Sequence, residues 1–333
     1  MSQAVEVDGI SVPISNPEKL FFPALALTKR DLLDYYVAIA EGALRGCYLR
    51  PTLLKRFPNG VDGDAFYQKR VPASHPSWIK TVHVRFPSMR TADFLCPDTR
   101  AAVIWAVNLG CLEMNPWNSR SPDTDHPDEL RIDLDPTPSA PFEDVRRVAL
   151  IARDVLAGHG LVGFPKTSGK RGIHVLVRIK HEWPFTIVRR AALAIAREIE
   201  RRAPSLATSA WWKEQRHGVF IDFNQNARDR TLASAYSIRP SPDARVSCPI
   251  GWDAVSSVEP ADLTIVTVPA LFKERGDAHA HIDDVEYDIS SLLELADRQD
   301  AQGAEEAPWP PHFPKTEREP TRAPPSKRRK KGV

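Results

Sequence analysis

Cysteine is scarce in this 333-residue chain: Cys47, Cys96, Cys111 and Cys248 are scattered, without a C-x-x-C pair or a neighbouring histidine cluster. That argues against a disulfide framework and a structural zinc, and leaves buried free thiols as the expectation. Long apolar runs are also lacking. Met1 to Asn16 contains acidic residues and no continuous apolar stretch behind a basic segment, so neither a signal peptide nor a membrane span is expected, and the protein should stay in the cytoplasm. No charge of one sign dominates, since 45 Lys and Arg stand against 43 Asp and Glu for a net +2. The apolar fraction of 42% with 26% charged residues is ordinary for a folded soluble protein. No internal repeat is evident.

The small net charge hides an uneven distribution. From Lys315 to Val333 eight basic residues stand against two acidic ones, leaving a slightly acidic body. A proline-rich basic tail is expected to start near Asp300 and to be disordered over 301–333, either as a loose contact to a polyanion such as DNA or as a solubilising end. At the other end, Thr28 precedes an apolar-periodic run through Leu32, Leu33, Tyr36, Ile39 and Ala40 with Asp31 in its first turn. This predicts a capped helix that exits at Gly42 and Gly46. Residues 50–89 read as short strands rich in basic and aromatic residues, and a second helix is expected from Asp98 to about Leu112.

Glu129 to Asn224 carries the strongest pattern. Strands are expected at Leu130 to Asp135, Leu161 to Lys166, Ile173 to Ile179 and Gly218 to Phe223, with helices at Pro141 to Ala157 and Phe185 to Arg202. That βαββαβ order predicts an α/β (α+β) fold with a ferredoxin-like sheet, strand order fourth, first, third, second. An N-terminal α/β part (1–128) would share the cleft with this catalytic part (129–224), and 225–300 would form a C-terminal extension. Alternation puts Leu130, Ile132, Leu134, Ile173, Val175, Val177, Val219, Ile221 and Phe223 under the helices. Asp133, Asp135, His174 and Asp222 then converge on the uncovered face.

Like charges this close repel, so a carboxylate cluster implies a compensating cation. All-oxygen ligands favour Mg²⁺ or Mn²⁺, and two ions roughly 3.5–4 Å apart suit phosphoryl transfer. The turn Thr167-Ser168-Gly169-Lys170-Arg171-Gly172, leading into the His174 strand, has the glycines, hydroxyls and cations to cradle a triphosphate. Alone it would read as a basic hairpin turn, and His174 as a strand histidine with its hydrogen bonds satisfied.

Four ordered segments carry a resemblance that covers the chain up to about Leu295. They are Arg131-Ile132-Asp133-Leu134-Asp135-Pro136, Thr167 to His174, Val219-Phe220-Ile221-Asp222-Phe223-Asn224-Gln225-Asn226, and Ala235-Tyr236-Ser237-Ile238-Arg239. Together they resemble the polymerase domain of bacterial ATP-dependent DNA ligase D, in the archaeo-eukaryotic primase superfamily. The resemblance implies a primase-polymerase that extends a primer 3′-hydroxyl with NTPs or dNTPs, filling short gaps or processing broken ends in repair. It implies a stand-alone, monomeric member working beside a separate ligase and an end-binding protein. It places the metals on Asp133, Asp135 and Asp222, and the nucleotide phosphates near Lys55, Ser168, Arg171, His174 and Arg239. Lys19 and Lys29 match lysines that bind a downstream 5′-phosphate, Phe66 and Tyr67 match aromatics that stack on a template base, and Lys213 and Arg216 fall in a template-contacting segment. Asn115 stands where that family usually has histidine, which puts ribonucleotide preference in doubt.

From the residues alone, Lys19 and Lys29 could be surface charges and Phe66-Tyr67 core residues. Two rival functions share some of the pattern: a D-x-D nucleotide-sugar glycosyltransferase, and a non-catalytic scaffold for DNA ends. The first does not explain Asp222 on the neighbouring strand. The second does not need a costly carboxylate cluster.

Overall fold

The computed structural model describes residues 3–86, 90–310, 313–315 and 319. The N-terminal part begins with a hairpin of β1 (Gln3–Val7) and β2 (Ile10–Ile14), then β3 (Leu20–Phe22), β4 (Leu27–Thr28), α1 (Lys29–Ala38) and α2 (Ala40–Arg45). Its sheet is built from β5 (Thr52–Arg56), β6 (Phe66–Gln68), β7 (Thr81–Arg85), β8 (Thr91–Leu95) and β9 (Cys111–Pro116), with α3 (Arg100–Asn108) leading into the last strand. The strand β5 is central, pairing with β6, β8 and β9.

The second sheet contains β10 (Glu129–Pro136), β11 (Phe164–Thr167), β12 (Ile173–Arg178), β13 (Ala207–Thr208) and β14 (Val219–Ile221), with α4 (Phe142–Gly158) and α5 (Phe185–Arg202) on one face. Its order is β11-β12-β10-β14-β13. The four expected strands thus lie in the expected order, and β13 adds a short parallel edge. All nine residues assigned to the helix-covered face belong to the main hydrophobic core. Two further helices, α6 (Val268–Arg275) and α7 (Ser290–Ala301), complete the fold.

Several boundaries differ from the sequence reading, each for a packing reason. Thr28 and Asp31 do form a reciprocal capping box at α1. Gly42, however, lies inside α2 rather than at a helix exit, where a β-carbon would stand 2.5 Å from the Tyr236 ring. The helix expected to reach Leu112 stops at Asn108, because Gly110 turns the chain with φ 82° and Leu112 joins β9. The second strand starts at Phe164, not Leu161, since Gly163 is pressed against Val175 and Leu156. Asp222 falls just past β14, capping a short 3₁₀ turn over Phe223–Asn226.

Two expectations need larger corrections. The carboxylate face is not uncovered: β9 and residues 231–249 fold over part of it, with Lys166 bridged to Pro249 and Ser234 N donating to Met114 O. The tail expected to be disordered from 301 is packed as far as Trp309, which is buried, as α5 and α7 leave a polar and aromatic seam that it fills. The basic residues from Arg318 onwards lie outside the described residues.

Candidate active site

The site begins with strand register. On β10, Asp133 faces His174 of β12 directly, and Asp222 N donates to Asp133 O at 2.9 Å across the other edge. Two residues on, Asp135 opposes Phe220 and reaches the open end of the cleft, where it is exposed. Asp133 is buried, and its Oδ1 has no hydrogen-bond partner, although His174 Nε2 stands 3.3 Å away. Burial, followed by the charges of Asp135 and Asp222, pushes the Asp133 carboxyl well above the usual range. Burial and Asp135 also raise Asp222. Surrounding protein raises Asp135 against the pull of Arg216, Lys170 and Arg239. Among the described residues, no three His, Cys, Asp or Glu side chains are already gathered as a complete ion-binding set. The oxygen donors nevertheless fit a hard cation: an orphaned carboxylate oxygen and mutual repulsion are both relieved by positive charge.

Lys166 is a residue the sequence reading missed. Its register partner is His174, so β-alternation already placed it on the same face. It is buried, and its ammonium donates to His174 Nδ1 at 2.8 Å, Ala233 O at 2.8 Å and Ser247 Oγ at 2.6 Å. With Nδ1 accepting, the imidazole proton sits on Nε2, on the Asp133 side. Burial and then Arg239 lower Lys166 to about 7, while burial, Lys166 and Arg239 hold His174 well below its ordinary range.

Glu113 was also missed. Buried on β9, it accepts from Lys55 at 2.8 Å and from Arg239 at 2.7 Å, fixing two cations expected near phosphate. Asn115, two residues along, donates to Glu113 O at 3.1 Å. In the 167–172 turn, Ser168 Oγ accepts from Lys170 N at 3.2 Å and Gly172 N at 3.0 Å. Gly169 takes φ 68°, and Gly172 lies so close to Leu134 O that a β-carbon would come within 2.6 Å. The exposed Arg171 donates to Ala140 O at 2.7 Å.

These groups line a cleft of 690 Å³. Asp133 and Asp135 form one wall with His174, and Lys55, Lys69, Lys170, Arg171 and Arg239 contribute cations around Glu113, Asn115 and Ser168. Tyr67 reaches this cleft; Phe66 stands beside it, and both rings are exposed rather than in the core. Arg56 lies 5.1 Å from the Phe66 centroid. Asp222 does not line this cleft, but its charge acts together with those of Asp133 and Asp135. Arg216 stacks 3.4 Å over Phe220 and pulls on Asp135 and Asp222, so it belongs beside the carboxylates, whereas Lys213, at the start of the short 3₁₀ turn that Arg216 caps, is exposed.

Lys19 and Lys29 stand together outside the lining of that cleft, Lys29 N donating to Lys19 O, and neither is a free surface charge. Lys29 is buried, with Nζ donating to Ser15 O at 2.6 Å and Asn108 O at 2.8 Å. Burial, then Lys19 and Arg56, lower it to about 8. Lys19 is half-buried and donates to Pro58 O.

Two sheets clasping a cleft, with carboxylates on one wall and lysines and arginines on the others, define an α+β protein whose charge pattern suits a phosphate-bearing ligand with its counter-ion. Comparison with known proteins is more specific: residues 28–279 match the family described as LigD, primase-polymerase domain, and the chain belongs to that family. It is 30% identical over 308 residues to the multifunctional non-homologous end joining protein LigD of Mycolicibacterium smegmatis, covering 92% of this chain and 40% of that protein. Against the LigD of Pseudomonas aeruginosa it is 28% identical over 264 residues, covering 75% of this chain and 30% of that one. The polymerase domain of Mycobacterium tuberculosis ligase D, solved in complex with DNA, superposes with a TM-score of 0.77 at 30% identity, covering 83% of this chain and 99% of that one. The chain thus spans 40% or less of the length of these two curated relatives. The match leaves the nucleotide-sugar reading without support. No helix among the described residues is long and apolar enough to cross a membrane.

Proposed function

We propose that the chain is a template-dependent nucleotidyltransferase of DNA end-joining repair, extending a primer 3′-hydroxyl to fill short gaps or process broken ends. The observation that carries this is the row Lys166–His174–Asp133 facing a cationic cleft beside Asp135 and Asp222. Family membership and the likeness to a DNA-bound polymerase domain support it.

Asp133, Asp135 and Asp222 would hold two divalent ions, Mn²⁺ or Mg²⁺, which when bound supply charge neutralisation at the α-phosphate and ease loss of the 3′-hydroxyl proton. In the reaction the primer 3′-oxygen attacks the α-phosphorus, the bond to the β-phosphate oxygen breaks, and pyrophosphate leaves. His174, with its proton on Nε2, is oriented by Lys166 to donate toward a phosphate oxygen. Lys55 and Arg239, both pinned by Glu113, flank the triphosphate, and the Ser168 turn presents its hydroxyl and Lys170 to the same anion. Arg171 would exchange a carbonyl for phosphate. Tyr67 and Phe66 offer faces for a template base, and Lys213 adds charge toward the template strand. Asn115 lines the pocket near the sugar, where it can donate or accept but cannot titrate. DNA with a phosphorylated gap, a separate ligase and an end-binding protein are the proposed partners.

The test is primer extension on gapped duplexes with Mn²⁺ or Mg²⁺, comparing wild type with Asp133→Ala and Asp135→Ala. Extension should vanish in both variants while DNA affinity is kept. Folded variants that extend at near wild-type rates would refute the assignment and favour a non-catalytic end-binding role.

A further inference from the structure

Arg189, near the start of α5, is buried, and burial lowers its pKa to about 10 against the pull of the Glu306 and Glu319 carboxylates. Its Nε donates to Asn224 Oδ1 at 2.7 Å, and its Nη2 to Ala307 O at 3.0 Å and Pro308 O at 2.8 Å. The guanidinium lies 4.0 Å from the Trp309 ring centroid and 5.1 Å from that of Phe223. Trp309 is itself fixed, its N donating to Glu319 Oε1 at 2.7 Å and its Nε1 to Glu306 Oε1 at 3.3 Å. Burying a guanidinium is costly even with two carboxylates acting on it, and this one spends its fork on an asparagine side chain and two carbonyls rather than on a direct carboxylate contact at the seam. The charge and the planar fork therefore need a reason beyond packing.

Asn224 supplies one, because its backbone N donates to Asp222 Oδ1 at 3.0 Å. The contacts run without a gap from Trp309 to Arg189, from Arg189 to Asn224, and from Asn224 to the carboxylate. Gln225 Nε2 holds the other oxygen at 3.3 Å, so the short turn after β14 orients Asp222 and Arg189 orients the turn.

We propose that Arg189 is a positioning residue for Asp222, and that Ala307–Trp309, beyond the 28–279 span matched by the family, is the strap that keeps Arg189 in place. The inference rests on the reading of Asp222 as an ion-holding carboxylate. Residues that orient a ligand from behind commonly change metal affinity by roughly tenfold or more when removed.

The experiment uses the full chain and follows Mn²⁺ binding by loss of the free-ion EPR signal, alongside thermal unfolding and steady-state primer extension. Trp309→Ala and Arg189→Lys should weaken Mn²⁺ binding about tenfold and lower kcat with the nucleotide KM little changed. Trp309→Phe, which keeps a ring over the guanidinium, should bind Mn²⁺ like wild type. Should Trp309→Ala lose its fold, Trp309→Leu and Arg189→Lys carry the same comparison. Wild-type Mn²⁺ affinity in the strap variants, with loss in Asp222→Ala, overturns the positioning role alone. Wild-type affinity in Asp222→Ala overturns the metal reading of that residue, and the positioning proposal falls with it.

Discussion

Lys166 has three ammonium hydrogens and three acceptors, one of them the histidine that faces Asp133. An apolar substitute of similar length would leave those acceptors buried without a donor and free the imidazole to change tautomer or rotate. We expect Lys166→Met to cost about 3 kcal/mol of stability and to raise the nucleotide KM on the order of tenfold, with DNA affinity unchanged. A double-mutant cycle with His174→Ala checks the coupling: if Lys166 acts through His174, the two losses in nucleotide affinity should fall short of additive by ~1 kcal/mol or more. Fully additive losses would make Lys166 a packing residue only. Residue-level reasoning from sequence found His174 and Asp133 because their types are costly in a strand. It passed over Lys166 because a lysine beside a basic turn looks like surface, and burial cannot be read from residue type.

At the scale of elements, the β3–β4 hairpin brings two lysines together, with Lys29 N donating to Lys19 O at 2.8 Å at the start of α1. Four protein oxygens lie within 3.2 Å of Lys29 Nζ, so in the proposed 5′-phosphate site this ammonium would act chiefly through its charge and the helix N-terminus behind it. Burial lowers Lys29 to about 8, against 10.5 in the unfolded chain. Between those values the unfolded chain keeps a proton that the folded chain has released, so fold stability should rise with pH in that window. Binding that needs the charged form should fall over the same window. The preference for a gapped duplex with a 5′-phosphate over one with a 5′-hydroxyl is therefore expected to fade above about pH 8, while Lys29→Met shows neither the preference nor the stability rise. Fluorescence anisotropy with paired duplexes across pH 6–10, plus thermal melts, measures both. A preference equally strong at pH 7 and 9.5 in wild type would separate the phosphate site from Lys29.

For the whole molecule, the main core runs through both sheets, which is why the carboxylate wall and the cationic wall can hold a cleft between them. The end of the chain is strongly basic in sequence, with Arg322, Lys327, Arg328, Arg329, Lys330 and Lys331 and no acidic residue after Glu319. Deleting 321–333 spares the Glu319 bond to Trp309 and should leave catalysis intact. It should weaken DNA binding and flatten its salt dependence, by up to about 0.9 in the log–log slope for each DNA phosphate that the segment neutralises. Titrations at several salt concentrations decide this, and equal slopes with and without the segment would leave it no part in DNA binding.

The sequence alone determined the βαββαβ order, the strand order and the face of the apolar residues in the second sheet, because period-2 alternation in strands and the 3.6-residue period of amphipathic helices act over a few residues. It also brought Asp133, Asp135, His174 and Asp222 together, since strand neighbours follow from that topology. Only the tertiary structure decided that β9 and residues 231–249 cover part of the carboxylate face, that Glu113 pins Lys55 and Arg239, and that Lys29 is buried. These pairings join residues 58 to 126 positions apart or depend on how two sheets meet. The same holds for Trp309, which a proline-rich and charged context marks as tail. Its burial follows from the seam that α5 and α7 leave between them, where Arg189 offers it a cationic face. Local preference is written in neighbouring residues; burial is a property of surfaces that meet only once the chain has folded.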